Sequence, residues 1–303
     1  MRNPKNNCKT LFLILSILAF ISCSHIIDNQ LPNSNLITFG LPQKVAVIGY
    51  NNHIMEPFLS RDGTTLFFNN LNTPDVNTNL YYATKISNTS FEYKGEIAGV
   101  NTEYLEGVPT VSSAHKLYFV SERNYTTTLE MVYESDFFNG SVSNIQAVPN
   151  ISKNQVGWVN FDVEISENGN YLYAVDGRYD EFGGPYEANL FLAEKINGIF
   201  QRSNNTSIFE NINTTALEYA ACISSDMLEL YFTRVDTPLS NTSIPQIYMA
   251  TRNSINEDFN TAYKINSITG FVEGPTISPD GQRIYYHKYE NEQFVLYMVE
   301  KEE

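Results

Sequence analysis

Five times along the chain a short apolar stretch runs into a serine, then a turn, then an alternating aliphatic and aromatic run: "PFLSRDGTTLFF", "PTVSSAHKLYF", "VEISENGNYLYA", "ACISSDMLELYF" and "PTISPDGQRIYY". The serines are Ser60, Ser112, Ser166, Ser224 and Ser278, spaced by 52, 54, 58 and 54 residues. Alternation with a period of two predicts half-buried strands, and self-similarity at a fixed spacing predicts one supersecondary unit per repeat. Asp62-Gly63, Asn168-Gly169 and Asp280-Gly281 supply the positive φ of a tight hairpin. "SSAHK" and "SSDML" lack glycine and are expected to turn differently. A third strand follows in every unit ("NLYYATK", "LEMVYES", "NLFLAEK", "QIYMATR", "FVLYMVEK"), and fourth strands are expected in "FEYKGEIAG", "VSNIQAVP", "IFQRSNNTSIFE" and "TAYKINSI".

The last unit lacks a fourth strand of its own. "KVAVIGYNNHIME", residues 44–56, matches "KGEIAGVNTEYLE", residues 94–106, in length and in its first and last residues, so the N-terminal segment is expected to complete the last unit and remove two sheet edges. The units resemble the TolB-type, WD40-like β-propeller repeat, with Ser278-Pro279-Asp280-Gly281 intact in the fifth and Arg61 standing for the proline in the first. The resemblance covers residues 43–303 and implies an all-β, five-bladed β-propeller closed by its N-terminal strand. It implies no activity, because the motif residues are structural and propellers host unrelated functions.

Ahead of the repeats, Arg2, Lys5 and Lys9 precede the apolar run "LFLILSILAFI", which is short for a bilayer span and reads as an export signal, residues 1–22. "FISCS" resembles a bacterial lipobox, which implies cleavage before Cys23, a lipid such as palmitate on that cysteine, a tether over residues 23–42 and a lipid-anchored place in the bacterial envelope, with the outer membrane favoured. The rival is an ordinary secretory signal, since sequons such as those at Asn88 and Asn241 occur downstream. Only Cys222 would remain in the folded part, so no internal disulfide is available and stability rests on a core that 42% hydrophobic residues can supply. The formal charge of −15 becomes more negative by three when the leader departs, which argues against nucleic acid as a partner.

Just upstream of each anchor serine stands an acid: Glu56, Glu106, Asp162, Glu218 and Glu273. Tyr104, Trp158 and Phe271 stand near them, and the third unit carries the insertion "DGRYDEFGGPYEAN" with Arg178. Acids with aromatic rings suit a polar ligand such as a sugar. The competing reading pairs the acids with Arg123, Arg178, Arg234 and Lys288 as scaffold. Four scattered histidines lack metal-ligand spacing, His53 and His287 reading as solvated loop residues, and neither a Gly-x-Ser-x-Gly nor a phosphate-cradling loop occurs, so no catalytic motif, metal or cofactor is expected. The preferred reading is therefore a non-enzymatic binding or scaffold lipoprotein of the envelope that holds a protein or glycan on the funnel face. The alternative is a glycoside hydrolase or lyase using carboxylates at the axis.

Overall fold

A computed structural model describes residues 36–73 and 76–302. Among these, the strands assemble into five four-stranded antiparallel units. The first is Met55–Leu59, Thr65–Asn69, Leu80–Ser87 and Ser90–Glu96; the second is Glu106–Val111, Lys116–Ser121, Val132–Phe138 and Ser141–Ala147. In the third, Trp158–Val159 and Val163–Ile165 both pair with Tyr171–Asp180, which continues into Gly183–Ile196 and Ile199–Arg202. The fourth is Leu217–Ile223, Glu229–Val235, Gln246–Thr251 and Tyr263–Lys264. The fifth is Phe271–Ile277, Arg283–Glu290 and Gln293–Glu300, completed by Gln43–Lys44.

The innermost strands pack side by side in sequence order, and the fifth packs against the first. The apolar core divides accordingly into five clusters, one at every junction between units. At the junction of the fifth and first units, Phe91 meets Tyr285 edge to face with ring centroids 6.0 Å apart, a geometry favoured by the ring quadrupoles. The units do not merge into one continuous sheet; side-chain packing between faces links them, together with a few backbone contacts such as the parallel bridges of Ala188 with Leu217 and of Ala98 with Ser141.

The N-terminal segment does complete the last unit. Glu302 N–H donates to Thr38 O, Gln43 lies opposite Met298 and Lys44 opposite Tyr297. Ala46–Ile48 then crosses to run parallel to the outermost strand of the first unit. Pairing thus begins at Thr38, inside the segment read from sequence as a tether. The register differs from the sequence match by two residues: Lys44 faces Tyr297 as Glu96 faces Tyr81. A slip of two preserves the side-chain alternation, so the hydrophobic pattern could not reveal it. Its consequence is that Glu56 is the counterpart of Val108, not of Glu106.

The third residue after the anchor serine has positive φ in all five units: Gly63, His115, Gly169, Met227 and Gly281. The fourth unit thus keeps the same turn as its glycine-bearing relatives, with Met227 in the glycine's place. The second closes one residue sooner, through Ser112 N–H to Lys116 O. The left-handed conformation costs roughly 1 kcal/mol at each non-glycine site. In four units the anchor hydroxyl bridges the turn, as Ser278 Oγ does by donating to Asp280 Oδ1 at 2.5 Å and accepting Arg283 N–H at 2.9 Å.

A carboxyl cluster in the axial cavity

Each innermost strand is interrupted four residues before its anchor serine. In the first, second, fourth and fifth units the interruption is a bulge at Glu56, Val108, Ala220 and Gly274, all with positive φ. A bulge turns one N–H out of its ladder, and that donor needs a new acceptor. The preceding unit supplies it at a fixed place, nine residues after its own anchor. Asn69 Oδ1 accepts from Val108 N–H at 2.9 Å, Thr233 Oγ1 from Gly274 N–H at 3.2 Å, and His287 Nδ1 from Glu56 N–H at 3.2 Å. The Ala220 N–H goes instead to the Asp162 carboxyl.

These bulges surround a cavity of about 110 Å³ lined by all five units. Met55, Val108, Phe161, Leu217, Val235 and Phe271 are among its apolar walls, and Glu56, Asp162 and Glu273 are its acids. Two glycines shape it. Gly274 has φ +62, and a Cβ there would lie 2.9 Å from both Glu56 Oε2 and His287 Nδ1. Gly184, beside the lining Pro185, lies against the Tyr179 ring, where a Cβ would come within 2.7 Å, so the long hairpin of the third unit leans over the cavity.

His287 is fully buried. Because its Nδ1 accepts a hydrogen bond from Glu56 N–H, its Nε2 carries the ring proton and donates to Glu273 Oε2 at 3.3 Å. The Tyr219 hydroxyl donates to Glu273 Oε1. Two hydrogen-bond partners thus converge on the two oxygens of the Glu273 carboxyl. Burial first, then the neighbouring Asp162 and Glu273, push the Glu56 carboxyl up to about 8 against an opposing contribution from His287. Burial also raises Asp162 well above the usual carboxylate range, assisted by Glu273 and Glu164 and resisted by the Ala220 N–H. Near neutral pH the cluster therefore combines a protonated Glu56 with a Glu273 carboxyl whose two oxygens are engaged by Tyr219 and His287.

The expected ring of five equivalent acids divides in two. Glu106 and Glu218 stand six residues before their anchors and point away from the cavity into matching ion pairs. Glu106 accepts from Thr102 N–H, Thr102 Oγ1, Ser121 Oγ and Arg123. Glu218 accepts from Thr214 N–H, Thr214 Oγ1 and Arg234. Each arginine lies over two rings, Phe119 and Tyr133 for Arg123, Phe232 and Tyr248 for Arg234. Of the other residues singled out, Phe271 lines the cavity, Tyr104 is exposed on the loop before the second unit, and Arg178 is exposed in a pair with Glu187 at 2.7 Å. The face of Trp158 is covered by Lys153 Nζ, 3.2 Å from the ring centre. Cys23 lies outside the described residues. Sequence reasoning set His287 aside as a solvated loop residue and overlooked Tyr219 as a carboxylate donor. The signal for His287 was the shared spacing with Asn69, Ser121 and Thr233, all polar and fully buried.

No protein-family model matches the chain, and no curated protein sequence does. Solved structures do. One is a glycoside hydrolase with 9% identity, covering 88% of this chain and 92% of its own, at a TM-score of 0.59. Another is a family 117 glycoside hydrolase from the marine bacterium Zobellia galactanivorans, with 11% identity, 88% and 90% coverage and a TM-score of 0.53. TolB from Acinetobacter baumannii matches with 15% identity at a TM-score of 0.48; the chain spans 55% of its length, and no argument rests on it. At these identities the likeness establishes the fold, an all-β propeller. A family-43 glycoside hydrolase and arabinofuranosidases are also among the similar structures. That predominance overturns the preferred reading of a non-enzymatic binding or scaffold protein and favours the alternative.

Proposed function

We propose that the protein is a glycoside hydrolase whose reaction is carried by the axial carboxyl cluster, the five units being the five blades of the propeller. The observation that carries this is that one cavity joins Glu56, pushed up to about 8 by burial, with Glu273, whose two oxygens are engaged by Tyr219 and His287. Glycoside hydrolysis requires two carboxyl groups in unlike states, one to give a proton and one to assist the nucleophile, and unlike environments are what separate them. In this reading Glu56 protonates the glycosidic oxygen as the bond to the anomeric carbon breaks. Water supplies the hydroxyl that takes its place, with Glu273 accepting the water's proton. Burial keeps Glu56 protonated, and His287 is a positioning residue that ties the Glu56 backbone to the Glu273 side chain. The apolar walls suit the C–H faces of a sugar, and a lining with three acids and, among the described residues, no Lys or Arg favours neutral sugars over uronic acids.

The test is release of reducing ends from a panel of neutral, acidic and amino-sugar glycans. Release from at least one neutral glycan is expected; no release from any of them would overturn the reading. We also propose that Cys23 bears the lipid of a TolB-like envelope lipoprotein, which would put the enzyme at the bacterial outer membrane beside envelope glycans. Lipid labelling should disappear in Cys23→Ala, and unchanged labelling would refute the anchor.

A further inference from the structure

Three exposed aromatic rings, Phe182, Tyr186 and Tyr289, stand next to residues that wall the cavity. The hairpin that leans over it walls the cavity with Tyr179, Gly184 and Pro185 and carries Phe182 and Tyr186 at its tip. Phe182 is 82% exposed and Tyr186 47%. Tyr186 is held in place, its hydroxyl donating to Asp180 Oδ1 at 3.0 Å, and the same carboxylate accepts Phe182 N–H at 2.8 Å. One aspartate thus fixes both the ring and the turn that presents its neighbour. On the fifth unit, Tyr289 is 40% exposed and its ring lies edge to face with the cavity-lining Phe271 at 6.2 Å. The third and fifth units are not neighbours, so these rings stand on separate sides of the mouth with the carboxyl cluster between them.

Leaving large rings in water is unfavourable unless a partner covers them. Their continuity with the cavity identifies that partner as something that also enters it. We propose that Phe182 and Tyr186, with Tyr289 opposite, form carbohydrate platforms that hold the parts of a polymeric glycan extending beyond the cavity. Aromatic faces stack on the apolar C–H faces of pyranose or furanose rings, and Asp180 and Glu181 at the hairpin tip supply acceptors for sugar hydroxyls, Glu187 being paired with Arg178. The cavity accommodates one portion of the chain, and the platforms make the enzyme one for polysaccharides rather than short glycosides. This rests on the hydrolase reading for its choice of ligand.

The test is native gel electrophoresis with and without soluble neutral polysaccharides (β-glucan, arabinan, galactan, mannan), read as retardation without turnover in a Glu56→Gln background. The parent should be retarded by at least one polymer. Adding Phe182→Ala and Tyr186→Ala together should weaken that binding roughly tenfold or more. Phe138→Ala is the control: this ring is 72% exposed but sits at the outer hairpin on the opposite face, and its removal should leave retardation unchanged. Unaltered melting of the hairpin variant shows that it is folded; if it melts early, Tyr289→Phe and Tyr289→Ala, of which only the second removes the stacking ring, replace it. The proposal is overturned if no neutral polymer retards the parent, if the hairpin variant binds as well as the parent, or if Phe138→Ala loses as much. Retardation lost with the platform in a protein whose wild type cleaves nothing would uphold the platform and refute the hydrolase. Cleavage by the wild type with binding indifferent to the platform would do the reverse.

Discussion

The Glu56→Gln protein is expected to lose about 10²- to 10⁴-fold of glycan turnover while becoming more resistant to heat above pH 8. The loss is what general acid catalysis by a positioned side chain ordinarily contributes. The gain follows from linkage. The folded-state pKa of Glu56, about 8, lies above its unfolded value, so between about pH 4.5 and 8 the folded chain keeps a proton that the unfolded chain releases. The stability linked to that proton is complete at low pH and declines as pH rises, until near and above 8 the fold must hold a charged carboxyl beside Asp162 and Glu273. Glutamine never ionises. Its advantage should therefore be small at pH 5 and on the order of 2–3 kcal/mol at pH 9, a value discounted because the carboxyl faces the cavity. Thermal melts at the two pH values check this. A variant destabilised equally at both would mean that Glu56 is a structural residue and not a strained acid.

Glu106→Ala should have the opposite effect on stability. Glu106 is fully buried and makes four hydrogen bonds, one of them from the largely buried Arg123. Removing one partner of such a pair leaves an uncompensated charge and unsatisfied Thr102 and Ser121 donors, at a cost of about 3–5 kcal/mol. For a domain of this size that corresponds to a fall in melting temperature of roughly 10 °C. Glu218→Ala should fall comparably, because Thr214, Arg234 and its two rings repeat the arrangement. A melting temperature within a degree or two of the wild type would show that these acids are not scaffold.

The contrast between Glu56 and Glu106 also marks how far the sequence could be read. The anchor serines, the alternating strands and the closing N-terminal segment were legible because each depends on local periodicity and turn chemistry. The acids were legible as a class, and Glu56, Asp162, Glu273 and Phe271 do line the cavity. What the sequence concealed was which acids share a register. The matched ends of residues 44–56 and 94–106 suggested that Glu56 and Glu106 were equivalent, whereas strand pairing sets them two positions apart, one facing the axis and the other an arginine. A displacement of two leaves every apolar residue on its own side of the strand, so the hydrophobic pattern hides it, and the sign that remained was the unequal distance of Glu56 and Glu106 from their anchor serines. His287 was obscured differently. It occupies a position whose ordinary task, seen in Asn69 and Thr233, is to accept the N–H of the next unit's bulge, and its second nitrogen meets Glu273, which lies opposite it on the neighbouring strand of its own unit.

The central claim is that catalysis needs a proton on Glu56, and the pH dependence of glycan cleavage by the wild type tests it most directly. The rate should hold through neutrality and fall on the alkaline side as one proton leaves with a midpoint near 8. A rate that stays level from pH 7 to pH 10, or that climbs through this range, would contradict it.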